Sequence, residues 1–422
     1  MGRVATFVLL GRAAGACKEM VIAYRYGTGN VVDAYQIALT LVSWLPGACS
    51  AVFAIILVPL FVDLRNDSSS EESLFLRELL GWSLLVGLAL TFMIYVGSRL
   101  ALNIMASQLA LATRDMAHHM MLVMAPVGVL IMVENAYSTR LQSRERHIVT
   151  LLDSLPAVMT LLLVLLISVG NAMVPLMYGA VLGYAAMVAL LSPLAGKVNG
   201  RYSRPSLTFN SRHWRPTFRA VRVFMWGQLV VCCTPALDQY FAARFGDGAI
   251  ATLGYANRLF GLIASMGALA IAQGTLPVLS DIVGRDVAKG RRTAIQWSVL
   301  MLGAGTLCAL VIYPLAPWMV QVVYQRGAFT AANTAVVADL IRCSLLQLPF
   351  YFASLVMMNL LAVEKRYKGM AIVTALGFLV KLGGNVALVY WLGMPGIVVA
   401  TGVMHAAIVC LSTVTVWRAR PE

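Results

Sequence analysis

Five basic residues stand inside long apolar stretches of this sequence: Arg12, Lys18, Arg258, Arg342 and Lys381. A charge in such a setting costs about 2.5–3.5 kcal/mol on insertion scales, so each must face a cavity, meet an acid or reach an interface. The acids available in comparable stretches are Glu19, Glu134, Asp153, Asp238 and Asp339. Arg12 and Glu19 are two helical turns apart and share a face, whereas Lys18 points roughly 120° away. These three form either a packing network or a cationic site lining a cavity, and the excess of cations favours the cavity. Asn257-Arg258 opens a later stretch containing Gly261, Gly267 and Gly274. Arg258 there can grip an anionic headgroup through two parallel hydrogen bonds, or snorkel to the interface. Arg342 stands three residues from Asp339, the spacing of an ion pair on a helix surface. Lys381 has no acid in its own stretch, so Asp339, Glu134 or a cavity are its candidate partners.

Other chemistries lack their residues. His118 and His119 are adjacent rather than a helical turn apart, and the seven cysteines show no ligand spacing, so neither a metal nor a cofactor is expected. The longest loop on the less basic side, about 99–117, holds one carboxylate, Asp115. A membrane glycosyltransferase needs catalytic groups on such a loop, and the expectation is therefore a transporter rather than an enzyme.

The elements that position the cations are membrane spans. The chain has 422 residues, 60% hydrophobic and 12% charged, about half the charge of a soluble domain. A span needs about 20 apolar residues. Twelve stretches qualify: 4–25, 34–62, 79–102, 118–138, 148–169, 172–195, 220–243, 250–280, 293–320, 332–362, 369–391 and 395–417. Lysines and arginines concentrate in alternate loops, notably 140–146, 197–222, 285–292 and 365–368, while the opposite loops hold only Arg25, Arg99, Arg114, Arg244 and Arg326. The positive-inside rule then places both termini in the cytoplasm and accounts for the net charge of +14 without a nucleic-acid partner.

The basic linker 196–219 divides the spans into 1–195 and 220–422. Glu19, Ala23, Arg25, Tyr26, Gly27 and Gly29 line up with Asp238, Ala242, Arg244, Phe245, Gly246 and Gly248 at a constant offset of about 219 residues. Pro59 and Asp63 pair with Pro277 and Asp281 after a slip of one. An internal duplication with six spans per copy relates the halves by an axis along the membrane normal. The expected fold is an all-α integral membrane protein of about twelve transmembrane helices, two six-helix bundles around a central cavity, suited to alternating access.

Several stretches then carry a family resemblance. Gly11-Arg12, Lys18-Glu19, Gly27, Asp33-Ala34 and Val58-Pro59 resemble the first two helices of the MurJ/MviN lipid II flippases, in the multidrug/oligosaccharidyl-lipid/polysaccharide exporter superfamily. Tyr255-Ala256-Asn257-Arg258-Leu259, Gly267-Ala268-Leu269-Ala270 and Thr275-Leu276-Pro277 resemble the eighth helix, and Arg326-Gly327-Ala328-Phe329-Thr330 the turn after the ninth. The resemblance implies a flippase for a polyprenyl-pyrophosphate-linked glycan in the bacterial inner membrane. Its partners are that glycan and the membrane lipids, with an ion gradient or the membrane potential as candidate drives. Arg12, Lys18 and Arg258 would inherit the place near the pyrophosphate, and Asp33 the role of the aspartate at the start of helix two. Glu19, Asn257, Lys381 and Asp238 are the supporting or coupling candidates. The second helix departs from the family at Leu45-Pro46-Gly47-Ala48-Cys49-Ser50-Ala51, where charged residues are usual, and the twelve spans leave out two further helices that form a groove for the lipid tail. The alternatives are a flippase for an exopolysaccharide repeat unit, a cation-coupled drug exporter or an inactive scaffold.

Overall fold

The computed structural model describes residues 2–67, 69–145, 148–167, 172–195, 197–198, 201–202 and 204–418. Arg146 and Arg420 lie outside the described residues, as do the ends of the expected span at 168–169 and the side chains of Arg3, Lys197, Arg201 and Arg418. Contacts divide the chain into two compact units, residues 1–236 and 237–422.

The first unit contains α1 (Gly2–Tyr26), α2 (Asn30–Asp67), α3 (Ser69–Met105), α4 (Leu111–Met124), α5 (Val127–Ser143), α6 (Ile148–Leu152), α7 (Leu155–Leu166) and α8 (Val174–Ala195). A two-residue antiparallel ladder, β1 (Lys197–Val198) with β2 (Arg201–Tyr202), follows. Next comes α9 (Trp214–Ala242), whose last turns belong to the second unit. After a 3-10 turn at Ala243–Phe245, that unit continues with α10 (Ala249–Arg285), α11 (Val287–Tyr324), α12 (Ala331–Leu345), α13 (Leu348–Val363), α14 (Tyr367–Leu392) and α15 (Pro395–Arg418).

Each expected span coincides with a helix or a broken pair of helices. Among the described residues, eight helices are long and apolar enough to cross a membrane, or eleven segments if three bent pairs count as single spans. The remaining expected span is α1, whose Arg12, Lys18 and Glu19 lower its apolarity. Two of the three breaks sit at proline. Pro126 separates α4 from α5, and Pro349 sits in the first turn of α13; each pair is bent by 43°. Proline lacks the amide hydrogen and collides with the preceding turn, which bends or ends a helix. The helices α2, α3, α10 and α11 have 37 or 38 residues, about 55 Å at 1.5 Å per residue, so they outrun the ~30 Å hydrocarbon layer by several turns unless tilted.

The duplication recurs in backbone geometry. Gly27 (φ +57°) and Gly246 (φ +87°), which align in the sequence repeat, both take a positive φ that glycine adopts without steric cost. Glu145 and Lys365 both take φ 55° just after α5 and α13, although neither is a glycine. Two separated sites making the same unfavourable choice mark a shared helix-end design.

Helices approach closely where side chains vanish. A Cβ on Gly87 of α3 would fall 2.7 Å from the Val129 backbone of α5, and one on Gly305 of α11 would fall 2.6 Å from Pro349 of α13. Gly179 and Gly183 of α8 sit on Thr160 and Pro156 of α7 in the same way. Gly11 and Gly15 of α1 form no such seam: a Cβ on Gly11 would make ordinary contact with Ser154, and one on Gly15 would meet nothing within 4 Å. In the glycine-rich α10, Gly267 is tight against Phe352, while Gly261 and Gly274 face open space. Exposed Leu88, Phe92 and Val96, four residues apart along α3, form a stripe fit for lipid tails.

The second half of the basic linker is a strap on the first unit. Glu78, fully buried near the start of α3, accepts hydrogen bonds from Thr208 Oγ1 (2.6 Å), the Asn210 and Ser211 amides (2.7 and 3.2 Å) and Trp214 Nε1 (2.7 Å). The Ser206 amide donates to the Arg77 carbonyl at 2.9 Å, and Phe209 stacks on Trp82 at 4.3 Å. A buried carboxylate needs this many donors to stay charged.

Candidate functional site

The candidates divide between the units. Arg12, Lys18, Glu19 and Asp33 belong to the first; Asp238, Asn257, Arg258 and Lys381 belong to the second.

On α1, Lys18 Nζ lies 2.7 Å from Glu19 Oε1, with side-chain exposures of 14% and 8%. The wheel angle set Lys18 apart from the Arg12–Glu19 face, but four methylenes let its ammonium fold back onto the neighbouring carboxylate. In an apolar setting the gain from pairing exceeds the cost of bending the stem. Arg12, seven residues earlier and half-buried, stands about 10 Å along the helix axis. Here α1 leans on α6 and α7. Asp33 is fully buried in the first turn of α2, where unpaired amides and the helix dipole favour a negative charge. Elsewhere in this unit the buried Glu134 accepts a hydrogen bond from Ser138 Oγ one turn later.

In the second unit Lys381 has no exposed surface. Its Nζ lies 2.8 Å from Asp238 Oδ1 and 3.0 Å from Oδ2, and it also donates to Thr401 Oγ1. The partner is thus Asp238, rather than Asp339 or Glu134. The triad ties α9, α14 and α15 together. Asp339 instead pairs with Arg342 at 3.0 Å, the expected surface bridge. Sequence reasoning missed Thr401, one of many threonines on apolar helices. The repeat could have flagged Asp238, because it aligns in sequence with Glu19, and each of the two meets a lysine.

Arg258 is half-buried on α10 and Asn257 is exposed. The signature around them has a structural part. Tyr255, fully buried, packs on Tyr324 (5.0 Å between centroids) and edge-on to Phe329 (5.5 Å). Phe329 comes from the glycine-x-phenylalanine-threonine turn, in which Gly327 takes φ +58° and Thr330 Oγ1 caps α12 by accepting the Asn333 amide at 3.3 Å. Two separated sequence signatures therefore meet in one aromatic cluster, which fixes the start of α10 against the turn between α11 and α12.

Both units carry an ion pair linking a helix start to the end of a broken pair. Glu72 of α3 meets Arg140 Nε at 2.7 Å and Arg144 Nη2 at 2.8 Å. Arg291 of α11 meets Glu364 at 2.7 Å.

Comparison with known proteins agrees with this architecture. The sequence profile described as lipid II flippase MurJ matches residues 22–420. A probable lipid II flippase MurJ from Synechocystis sp. is 26% identical over 378 residues, 83% of this chain and 68% of that protein. One from Bdellovibrio bacteriovorus is 26% identical over 189 residues, 42% of this chain, and the match spans only 36% of that relative's length. Among solved structures, lipid II flippase MurJ in an inward closed conformation superposes with a TM-score of 0.83 at 19% identity, covering 99% of this chain and 88% of the other.

Proposed function

Since this chain belongs to the lipid II flippase MurJ family, we propose that it moves a polyprenyl-pyrophosphate-linked glycan, lipid II or a related envelope precursor, from the cytoplasmic to the periplasmic leaflet. The two halves, 1–195 and 220–422 about the linker 196–219, alternate access to a cavity between them, with both termini in the cytoplasm. The observation that carries the reading is the family match over nearly the whole chain, together with half-buried arginines kept on apolar helices at Arg12 and Arg258. Arginine is suited to this work because its planar fork binds phosphate oxygens in pairs and stays charged in a poorly solvated site. Lys18 supplies a third cation, neutralised in the resting state by Glu19. The Asp238–Lys381–Thr401 triad supports the second half and is a candidate for ion coupling.

The uncharged stretch Leu45–Ala51 on α2 favours a second substrate within the same class, the lipid-linked repeat unit of an exported polysaccharide. One experiment tests both. Depletion of the protein in its host should trap lipid II in the inner leaflet, scored by its protection from an externally added lipid II-cleaving toxin. Continued cleavage with accumulation of another undecaprenyl-linked glycan selects the polysaccharide reading; no accumulation of either refutes the flippase.

A further inference from the structure

The first turns of α9 have no part in the reading above. Trp214–Arg222 runs at 43° to the continuation Phe224–Phe245. Trp214 and Thr217 are buried against the first unit, with Trp214 held by Glu78 and packed on Phe75 at 5.0 Å. That contact turns the opposite face outward. Arg215, Arg219 and Arg222 follow one another at four and three residues on this face, and all three are exposed. None of the three makes an ion pair among the described residues. The face continues past the bend as Met225, Trp226 and Leu229. With Phe218 these residues line an open groove of about 560 Å³. Phe218 is 51% and Trp226 73% exposed, a costly display for water alone.

We propose that this groove binds an anionic phospholipid, its phosphodiester held by Arg215, Arg219 and Arg222 and its acyl chains lying along Phe218, Trp226 and Leu229. Charge complementarity selects the headgroup, since three arginines within two turns find no acid among the described residues. The order of residues selects a lipid over a free anion. Leu229 lies seven residues beyond Arg222, about 10 Å down the axis of a helix that enters the membrane, so the charged and apolar ends follow the polarity of a phospholipid. Tryptophan at the junction matches its preference for the headgroup level. The proposal does not depend on which molecule is transported or on which side of the membrane the groove opens.

The test uses the full chain in mild detergent, with native mass spectrometry during titration by phosphatidylglycerol or phosphatidylcholine of identical acyl chains. Wild type should prefer phosphatidylglycerol. Each Arg→Gln change should weaken that binding about fivefold, and R215Q/R219Q/R222Q roughly a hundredfold, to the level of phosphatidylcholine. The corresponding triple lysine variant should stay within a few fold of wild type, and Trp226→Ala should weaken both lipids equally. Thermal unfolding without lipid identifies any variant that is misfolded, in which case the single glutamines decide. Equal binding of the two lipids by wild type, or unchanged binding by the glutamine variants, overturns the proposal. So does displacement of phosphatidylglycerol by inorganic phosphate, which would mark a simple anion site, or by sub-stoichiometric undecaprenyl pyrophosphate, which would assign the groove to the transported lipid.

Discussion

Glu72 near the start of α3 and Arg291 near the start of α11 hold the same kind of ion pair with opposite charges. Each binds a side chain just past the end of the matching helix, Arg144 after α5 and Glu364 after α13. The two units thus share a bridge from a helix start to the end of a broken pair, with its charges exchanged. Only the pairing is common to the two bridges, so joining the two elements is what each does.

The two bridges differ in what they leave behind when cut. Arg140, 3% exposed, loses the Glu72 carboxylate if Glu72 is removed, whereas Glu364 keeps Arg366 at 3.8 Å if Arg291 is removed. Glu72→Ala should therefore destabilise by about 3–5 kcal/mol, the cost of removing one partner of a buried ion pair. Arg291→Ala should cost about 1–3 kcal/mol. Unfolding of the purified protein in detergent measures both, and equal losses would show that burial of Arg140 does not set the scale.

The Asp238–Lys381 pair makes a sharper energetic claim. Asp238→Asn and Lys381→Met should each cost about 3–5 kcal/mol, because each leaves one partner charged and desolvated. The double variant has neither charge and should recover at least 2 kcal/mol of the summed loss. Strict additivity in the double-mutant cycle would mean that the two groups do not stabilise one another.

Topology is testable at two exposed positions flanking α9, Leu207 and Asp247. A single span separates them, so cysteines placed there should react with an impermeant thiol reagent from opposite sides, Leu207→Cys only after the membrane is opened. Labelling of both from outside the intact cell would remove the twelve-span reading.

What the sequence disclosed and what it concealed follow from the range of each interaction. Spans depend on local apolarity, so they were legible; the repeat was legible because glycines at Gly27 and Gly246 answer to backbone geometry alone. The partner of Lys381 was not. Asp238 lies 143 positions away, and only the packing of α9, α14 and α15 brings the two together. Nor did the wheel angle foresee Lys18 turning to Glu19, since a flexible stem moves its charge several ångströms from the direction of its Cβ. The strap on Glu78 was hidden for a further reason: a run of arginines around it reads as a solvated loop, while the groups that fold it are a threonine hydroxyl, two amides and an indole.

That ion pair on α1 reshapes the test of the cationic site. If Arg12 and Arg258 bind the pyrophosphate, Arg12→Ala and Arg258→Ala should each weaken headgroup binding by about 1.5–3 kcal/mol, the value of a hydrogen bond to a charged group, with abundance and unfolding temperature unchanged. Arg258→Lys keeps the charge without the planar fork, so it should recover binding only in part. Lys18 is different, because removing it takes an ammonium 2.7 Å away from Glu19, a carboxylate only 8% exposed. Lys18→Ala should therefore lower stability as well as export, and the double variant K18A/E19Q should restore stability but not export. Binding of the glycan lipid to purified protein and toxin protection in cells report the two quantities separately. Full export by K18A/E19Q would reduce Lys18 to a packing role, and full export by both arginine variants would remove the pyrophosphate site from α1 and α10 altogether.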